Sequence, residues 1–294
     1  MAAALREQQR LVVAMAAVLG QASDTDVHQG RVAARRLRSL LKTFRPMLDP
    51  RRARLMRTDL RSFARSLALV READVRRDLL VRLARRDPAQ PPPDVQRLDG
   101  LLDDLCLEAR NSLLRHRAEP GWAALLAAIG GEGAIAELKA RPDVTLADLL
   151  KLVGDAWRPA VRLLEREPSE ADELHALRLA LKHCRYALEP VSDLRAAEAR
   201  KLLRRLRDAQ DRIGEHRDTL QAEHWVRANG RALGGPLSRF LLQLLERHEK
   251  RIRRQAAARA RKVLPAYKDW RKATRRLRKE TRPGRRSRSP GRRN

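Results

Sequence analysis

Along nearly the whole chain apolar residues recur every three or four positions, and no stretch alternates residue by residue as a half-buried strand would. The spacing predicts helices near residues 3–20, 25–46, 51–86, 94–117, 146–166, 171–190, 195–229 and 236–263. Breakers separate them: GQASDTD (20–26), Pro46 to Pro50, DPAQPPPD (87–94), AEPG (118–121), GGEG (130–133), ARPD (140–143), REPSEAD (166–172), Pro190 and NGRALGGP (229–236). Ser23 or Asp24, Thr145 and Ser169 stand where helix N-caps are expected. The apolar run Leu11 to Gly20 follows Glu7 and other polar residues, and fits a core helix better than a signal peptide.

Two of these helices carry an unusual polar face. In VHQGRVAARRLRSLLKTFRPML (27–48), His28, Arg31, Arg35, Arg38, Lys42 and Arg45 fall in one sector about 100° wide. Leu37, Leu40, Leu41 and Phe44 occupy the opposite side and supply the core contact. The basic row runs for roughly 25 Å at 1.5 Å per residue. Like charges one turn apart repel by a few tenths of a kcal/mol per pair, so an extended anion would relieve the row.

LHALRLALKHCRYALEPV (174–191) repeats the pattern. His28, Arg31, Arg35, Arg38 and Leu41 map onto His175, Arg178, Lys182, Arg185 and Leu188 at a constant offset of 147. Val70 and Asp74 map onto Gly214 and Asp218 at an offset of 144, and Arg57 and Arg61 then fall on Lys201 and Arg205. Two matched blocks in the same order predict a duplicated unit of four helices. Packed about a pseudo-twofold axis, the two basic faces would line one groove. Arg57, Arg61 and Arg65, with Lys201, Arg204 and Arg205, would widen it. Arginine suits phosphate because its planar fork donates two parallel hydrogen bonds and stays charged.

Composition strengthens this picture. Of 294 residues 43% are hydrophobic and only 3% aromatic, a mix that favours helix over sheet. The formal net charge is +28, which calls for a polyanionic partner. From Lys268 onward 13 Lys/Arg stand against 2 acids, a net +11, so the rest of the chain keeps +17. The segment 267–294 is therefore expected to be a basic, disordered tail, beyond a helical domain over 1–266 with halves near 1–133 and 134–266. Cys106 and Cys184 lie far apart in helical stretches and read as buried thiols of a reducing compartment. No apolar run is long enough to span a membrane, and membrane binding is not expected.

Catalysis finds little footing. There is no GxxxxGK loop and no HExxH. His183 and Cys184 are adjacent and point apart, while His216 and His224 share a helix side only loosely, so neither catalytic residues nor a metal site nor a cofactor is expected. Asp74 and Asp218 fit better as partners of nearby arginines. Nucleic acid is the competing ligand, with non-specific binding expected through the Arg-rich tail. Against it, Tyr186 is the one aromatic beside a basic row, whereas single-strand binders stack bases on aromatic rings.

The quoted motifs, with LVREADV (69–75) and RRLRDAQDRIGEHRDTL (204–220), resemble the CHAD family of histidine-containing α-helical domains over most of residues 5–264. The resemblance implies an all-α fold of two four-helix bundles, related by internal pseudo-twofold duplication around a basic central cleft. It also implies binding of inorganic polyphosphate without catalysis, in the cytoplasm, at polyphosphate granules. Carried over, the ligand-facing residues are His28, Arg31, Arg35, Arg38, His175, Arg178, Lys182 and Arg185. Arg36 also matches, although it lies about 80° from His28 on the helical wheel. Lys42, Arg57, Arg61, Lys201 and Arg205 complete the expected set. The chain departs from the family in READ, where RD precedes the aspartate elsewhere. It has no segment like the triphosphatase domain to which the family is often fused, so no activity is carried over.

Overall fold

A computed structural model describes residues 2–18, 24–86, 94–131, 134–135 and 144–280, and every regular element among them is helical. In chain order these are α1 (Ala2–Val18), α2 (Asp24–Thr43), α3 (Pro50–Ser66), α4 (Ala68–Ala84), α5 (Val95–Ala118), α6 (Pro120–Gly130), α7 (Leu146–Glu165), α8 (Ala171–Leu188), α9 (Ala196–Ala228), α10 (Gly230–Leu233), α11 (Gly235–Arg261) and α12 (Val263–Glu280). Short 3-10 turns follow α2 and α8, each built around a proline (Pro46 and Pro190).

Local chemistry accounts for several boundaries. Thr145 is the N-cap of α7, as the sequence predicts, and forms a reciprocal capping box with Asp148. The Thr145 hydroxyl also holds the exposed Asp148 carboxyl below its usual range. Asp49 caps α3 by accepting from the Arg52 backbone N–H at 2.7 Å, with Pro50 in the first turn. At α8 the capping box belongs to Glu170 and Glu173, one residue beyond the expected Ser169. The N-cap of α2 falls at the edge of residues 19–23, outside the described residues, as does Ser23 itself.

Three expectations need correction. The helix foreseen over 51–86 is two helices, because the chain turns at Leu67, whose side chain is fully buried. A helix, α6, occupies 120–130 where none was expected; it is apolar on nearly every side and so shows no period. The basic segment from 267 is not disordered as far as Glu280: it is most of α12. Val263, Ala266, Tyr267, Trp270 and Thr274 recur at helical spacing and are buried. Tyr267 stacks on Trp157 of α7 at 4.1 Å between ring centroids. The charge count concealed an amphipathic helix. Residues 281–294 of the foreseen tail lie outside the described residues.

Packing follows a simple scheme. α1 lies along α2, α2 along α3, and α6 rests on α1 and α3; α7 lies along α8, α8 along α9, and α12 rests on α7 and α9. These helices share one continuous core, reaching from Leu5 to Trp270. A smaller core, with Leu80, Leu98, Val226 and Leu241, gathers α4, α5, α10, α11 and the later part of α9. The main core does not divide near residue 133, because α2 packs directly on α7 and α8.

The α12 contact gives a first expected result. Trp270 is 2% exposed in this core. Trp270→Ala should destabilise the fold by about 3–5 kcal/mol, the usual cost of emptying a buried aromatic site. Urea unfolding followed by circular dichroism will show the loss. An unchanged midpoint would mean that α12 contributes nothing to the core.

Candidate functional site

The cores decide where the basic faces go. On α2, Leu37, Leu40, Leu41 and Phe44 are buried, which turns Arg31, Arg35 and Arg38 to the other side. On α8, Leu174, Leu177, Leu181, Cys184 and Leu188 do the same for His175, Arg178, Lys182 and Arg185. The two helices pack against each other, so the rows converge. Ser39 Oγ lies 2.7 Å from His183 Nδ1 across this contact. Burial, then Lys42 and Arg57, hold His183 down at about 4, so it is uncharged at neutral pH. Glu189 spans the same pair of helices, 3.5 Å from Arg36 Nε and 3.6 Å from Arg185 Nε.

At the centre His28, Arg31, Arg35 and Arg178 line a cavity of about 130 Å³. α4 adds Arg71, Glu72 and Arg76, and α9 adds Arg217 and Asp218. Arg178 lies against the backbone of α9: a Cβ placed on Gly214 would come within 3.1 Å of its guanidinium. A side chain there would push the guanidinium aside, so glycine favours this close approach. Lys182 is partly buried beside Arg35, Arg178, Arg217 and Arg185, and makes no hydrogen bond or ion pair among the described residues. Burial and these guanidiniums drive it down to about 6. Burial and Arg35 likewise lower Arg31 to about 10, so it stays charged. His28 and His175 are both lowered, first by burial and then by the neighbouring arginines, Arg71 foremost for His28 and Arg217 for His175.

A second cluster continues toward α3, where Arg38 is lowered by burial and then by Arg61, Arg57, Arg35 and Arg65. The Nε atoms of Arg38, Arg57 and Arg178 are buried without a hydrogen-bond acceptor. Orphan donors and crowded cations at one place cost free energy that an anion would return. Acids are few here. Burial pushes the Asp218 carboxyl up, against the pull of Arg178 and Arg217.

Of the expected set, His28, Arg31, Arg35 and Arg178 line the central cavity, Lys182 and Arg185 lie beside them, and Arg57 and Arg61 gather around Arg38. Lys201 lies apart: its ammonium is 2.9 Å from Asp269 of α12 and is engaged there. Arg205 does not line the central cavity, and Arg36 is drawn to Glu189 and over the Tyr186 ring. Asp74 is a structural partner, 3.4 Å from Arg110 of α5. His216 pairs with Glu249 of α11 at 2.9 Å instead of joining His224. Both cysteines are free and buried, and burial pushes the Cys184 thiol up. Among the described residues no group of His, Cys, Asp or Glu is arranged to hold a metal ion, and no helix is long and apolar enough to cross a membrane. Sequence reasoning missed Arg71, Arg76 and Arg217 as members of the site. The signal for Arg217 was its place beside Asp218, one turn beyond Gly214.

A family model for the CHAD domain matches residues 2–227. The chain belongs to the CHAD family. Two solved structures share the fold. PptA from Streptomyces chartreusis superposes with a TM-score of 0.69 at 21% identity, covering 91% of this chain and 97% of that one. The CHAD domain from the plant Ricinus communis gives a TM-score of 0.71 at 21% identity, covering 88% of this chain and 89% of that one. No curated protein sequence matches the chain. The CHAD match ends within α9, yet α11 and α12 pack on that helix, and both structural likenesses extend well beyond it.

Proposed function

We propose that this CHAD protein binds inorganic polyphosphate in the cleft between α2 and α8, holding the polymer without chemically changing it. One observation carries the reading: Lys182, with no partner of its own, sits among Arg35, Arg178, Arg185 and Arg217. A chain of phosphates supplies what this place lacks, negative charge in an extended form with acceptors spaced for guanidinium forks. Family membership supports the same ligand. The polymer enters the cleft, displaces counterions and is gripped by arginines from both basic helices. We place its site of action in the cytoplasm at polyphosphate granules, in keeping with the two unbridged cysteines.

We further infer that the cleft arose by internal duplication. α1, α2, α3 and α6 have the same neighbours among themselves as α7, α8, α9 and α12, which agrees with the constant sequence offsets.

Competition at about 150 mM salt, where surface charges are screened beyond roughly 8 Å, tests the ligand. Labelled long-chain polyphosphate is bound first and challenged with duplex DNA or single-stranded RNA at equal phosphate concentration. Polyphosphate should persist at least tenfold better than chance exchange predicts. Displacement by either nucleic acid at parity would make nucleic acid the ligand of the cleft instead.

A further inference from the structure

We propose that a second site, on the outer groove between α7 and α12, binds single-stranded nucleic acid. The groove consists of two adjoining hollows of about 470 and 500 Å³, which share Gly154, Tyr267, Lys268 and Arg271. Neither hollow shares a lining residue with the central cavity.

The site follows from the amphipathic character of α12. Its buried side fixes the helix on α7, and the opposite side presents Lys268, Arg271, Lys272 and Arg275, all exposed. These are spaced i, i+3, i+4 and i+7, one row over two turns. The side chains of all four make no hydrogen bond or ion pair among the described residues, the Thr274 hydroxyl donating only to the Arg271 carbonyl. Arg162 of α7 faces the same hollow and is likewise exposed and unengaged, whereas Arg158 is held by Asp155 at 2.7 Å. A row of free cations beside a hollow is complementary to a polyanion.

The floor selects which polyanion. Val161, Leu264 and Tyr267 make it largely apolar, with Asp155, held by Arg158, and Glu165 as the acids of the first hollow, and Gly154 leaves it open: a Cβ built there would meet nothing within 4 Å. A bare phosphate polymer has no apolar part to place on such a floor, and its anionic oxygens would lose water there without gaining a partner. A duplex keeps its bases stacked inside and offers the groove only phosphate. A single strand offers both parts. Its phosphates run along the α12 row, and an unstacked base enters the hollow over Gly154, beside the guanidinium of Arg271. Tyr267 is already stacked on Trp157, so it forms the floor and is not an open stacking platform.

The test uses the full chain, with a fluorescent oligouridine and the same oligonucleotide made abasic. Polyphosphate retention is measured in parallel. Gly154→Leu fills the hollow from an open helical position. It should weaken oligouridine about tenfold, within the range for losing one base contact, and leave abasic binding and polyphosphate retention unchanged. Replacing Lys268, Arg271, Lys272 and Arg275 by glutamine should weaken both oligonucleotides and reduce the salt dependence of binding. The proposal is overturned if Gly154→Leu binds oligouridine like the parent, or if the abasic strand binds as tightly as oligouridine. Equal loss of polyphosphate and oligouridine in the glutamine variant would overturn it as well, by showing one shared site. Failure of the parent to retain polyphosphate strikes only the central cleft, so the two readings fail separately.

Discussion

Replacing Arg35 and Lys182 together by glutamate will abolish retention of long-chain polyphosphate while leaving helix content intact. Each charge-assisted contact is worth about 1.5–3 kcal/mol, so losing two weakens binding by at least about 100-fold before any new repulsion is counted. The fold should tolerate the change. Both side chains project from helices whose opposite faces make the core, and both stand among arginines. Carboxylates in their place are attracted by those arginines in the ligand-free protein, where Lys182 itself is mostly neutral at pH 7.5. The double variant should therefore melt no lower than the parent, and the melting temperature by circular dichroism checks this. Full retention of polyphosphate by a folded double variant would remove the cleft from consideration.

Binding should also take up protons. In the empty site Lys182 sits at about 6, so at pH 7.5 it is mostly neutral. Facing it are Arg35 from α2, Arg178 and Arg185 from α8, and Arg217 from α9, all of which keep the proton off. Phosphate oxygens placed among them reverse that balance and restore the proton. His28 and His175, lowered for the same reasons, contribute in the same direction. Calorimetric titration in Tris and in HEPES should give apparent enthalpies differing by the buffers' ionisation heats, with uptake of about one proton per site. Affinity should fall as pH rises from about 6 toward the ordinary lysine range. Lys182→Arg keeps the charge and should lose most of the uptake. Identical enthalpies in the two buffers would show that Lys182 does not gain a proton.

The same lysine has a stability signature of opposite sign. Its folded value, about 6, lies below the unfolded value of 10.5. Between the two the unfolded chain holds more protons, so this residue's penalty is absent above 10.5, grows as pH falls and is complete below about 6. Binding thus profits from low pH in the window where the empty fold is taxed by it. A site that is uncomfortable when vacant is what selection for ligand, not for stability, produces.

The sequence showed the two basic helices because their patterns are redundant. Leu37, Leu41 and Phe44 fixed one side of α2, leaving Arg31, Arg35 and Arg38 no other place. The offset of 147 transferred the same argument to α8. What escaped notice has physical reasons. α6 is short and nearly uniformly apolar, so no period distinguished it. In α12 the apolar positions 263, 266, 267 and 270, with Thr274, lie at helical spacing, but the arginines and lysines between them mask the period. That omission had a cost elsewhere: without α12 there is no Asp269, and Lys201 looked free to serve the cleft. Arg217 and Arg76 enter only when α4 and α9 are brought beside α2 and α8, a tertiary fact that local spacing does not encode. Glu189, which ties Arg36 to Arg185, stood in plain view in ALEPV.

α9 spans 33 residues and contributes Leu206 and Ile213 to one core and Ala222 and Val226 to the other. A rod shared in this way leaves neither core a complete boundary of its own. Cutting the gene in the middle would not yield two autonomous modules, and loss of order at one end of the molecule would propagate to the other along a single continuous ladder of backbone bonds.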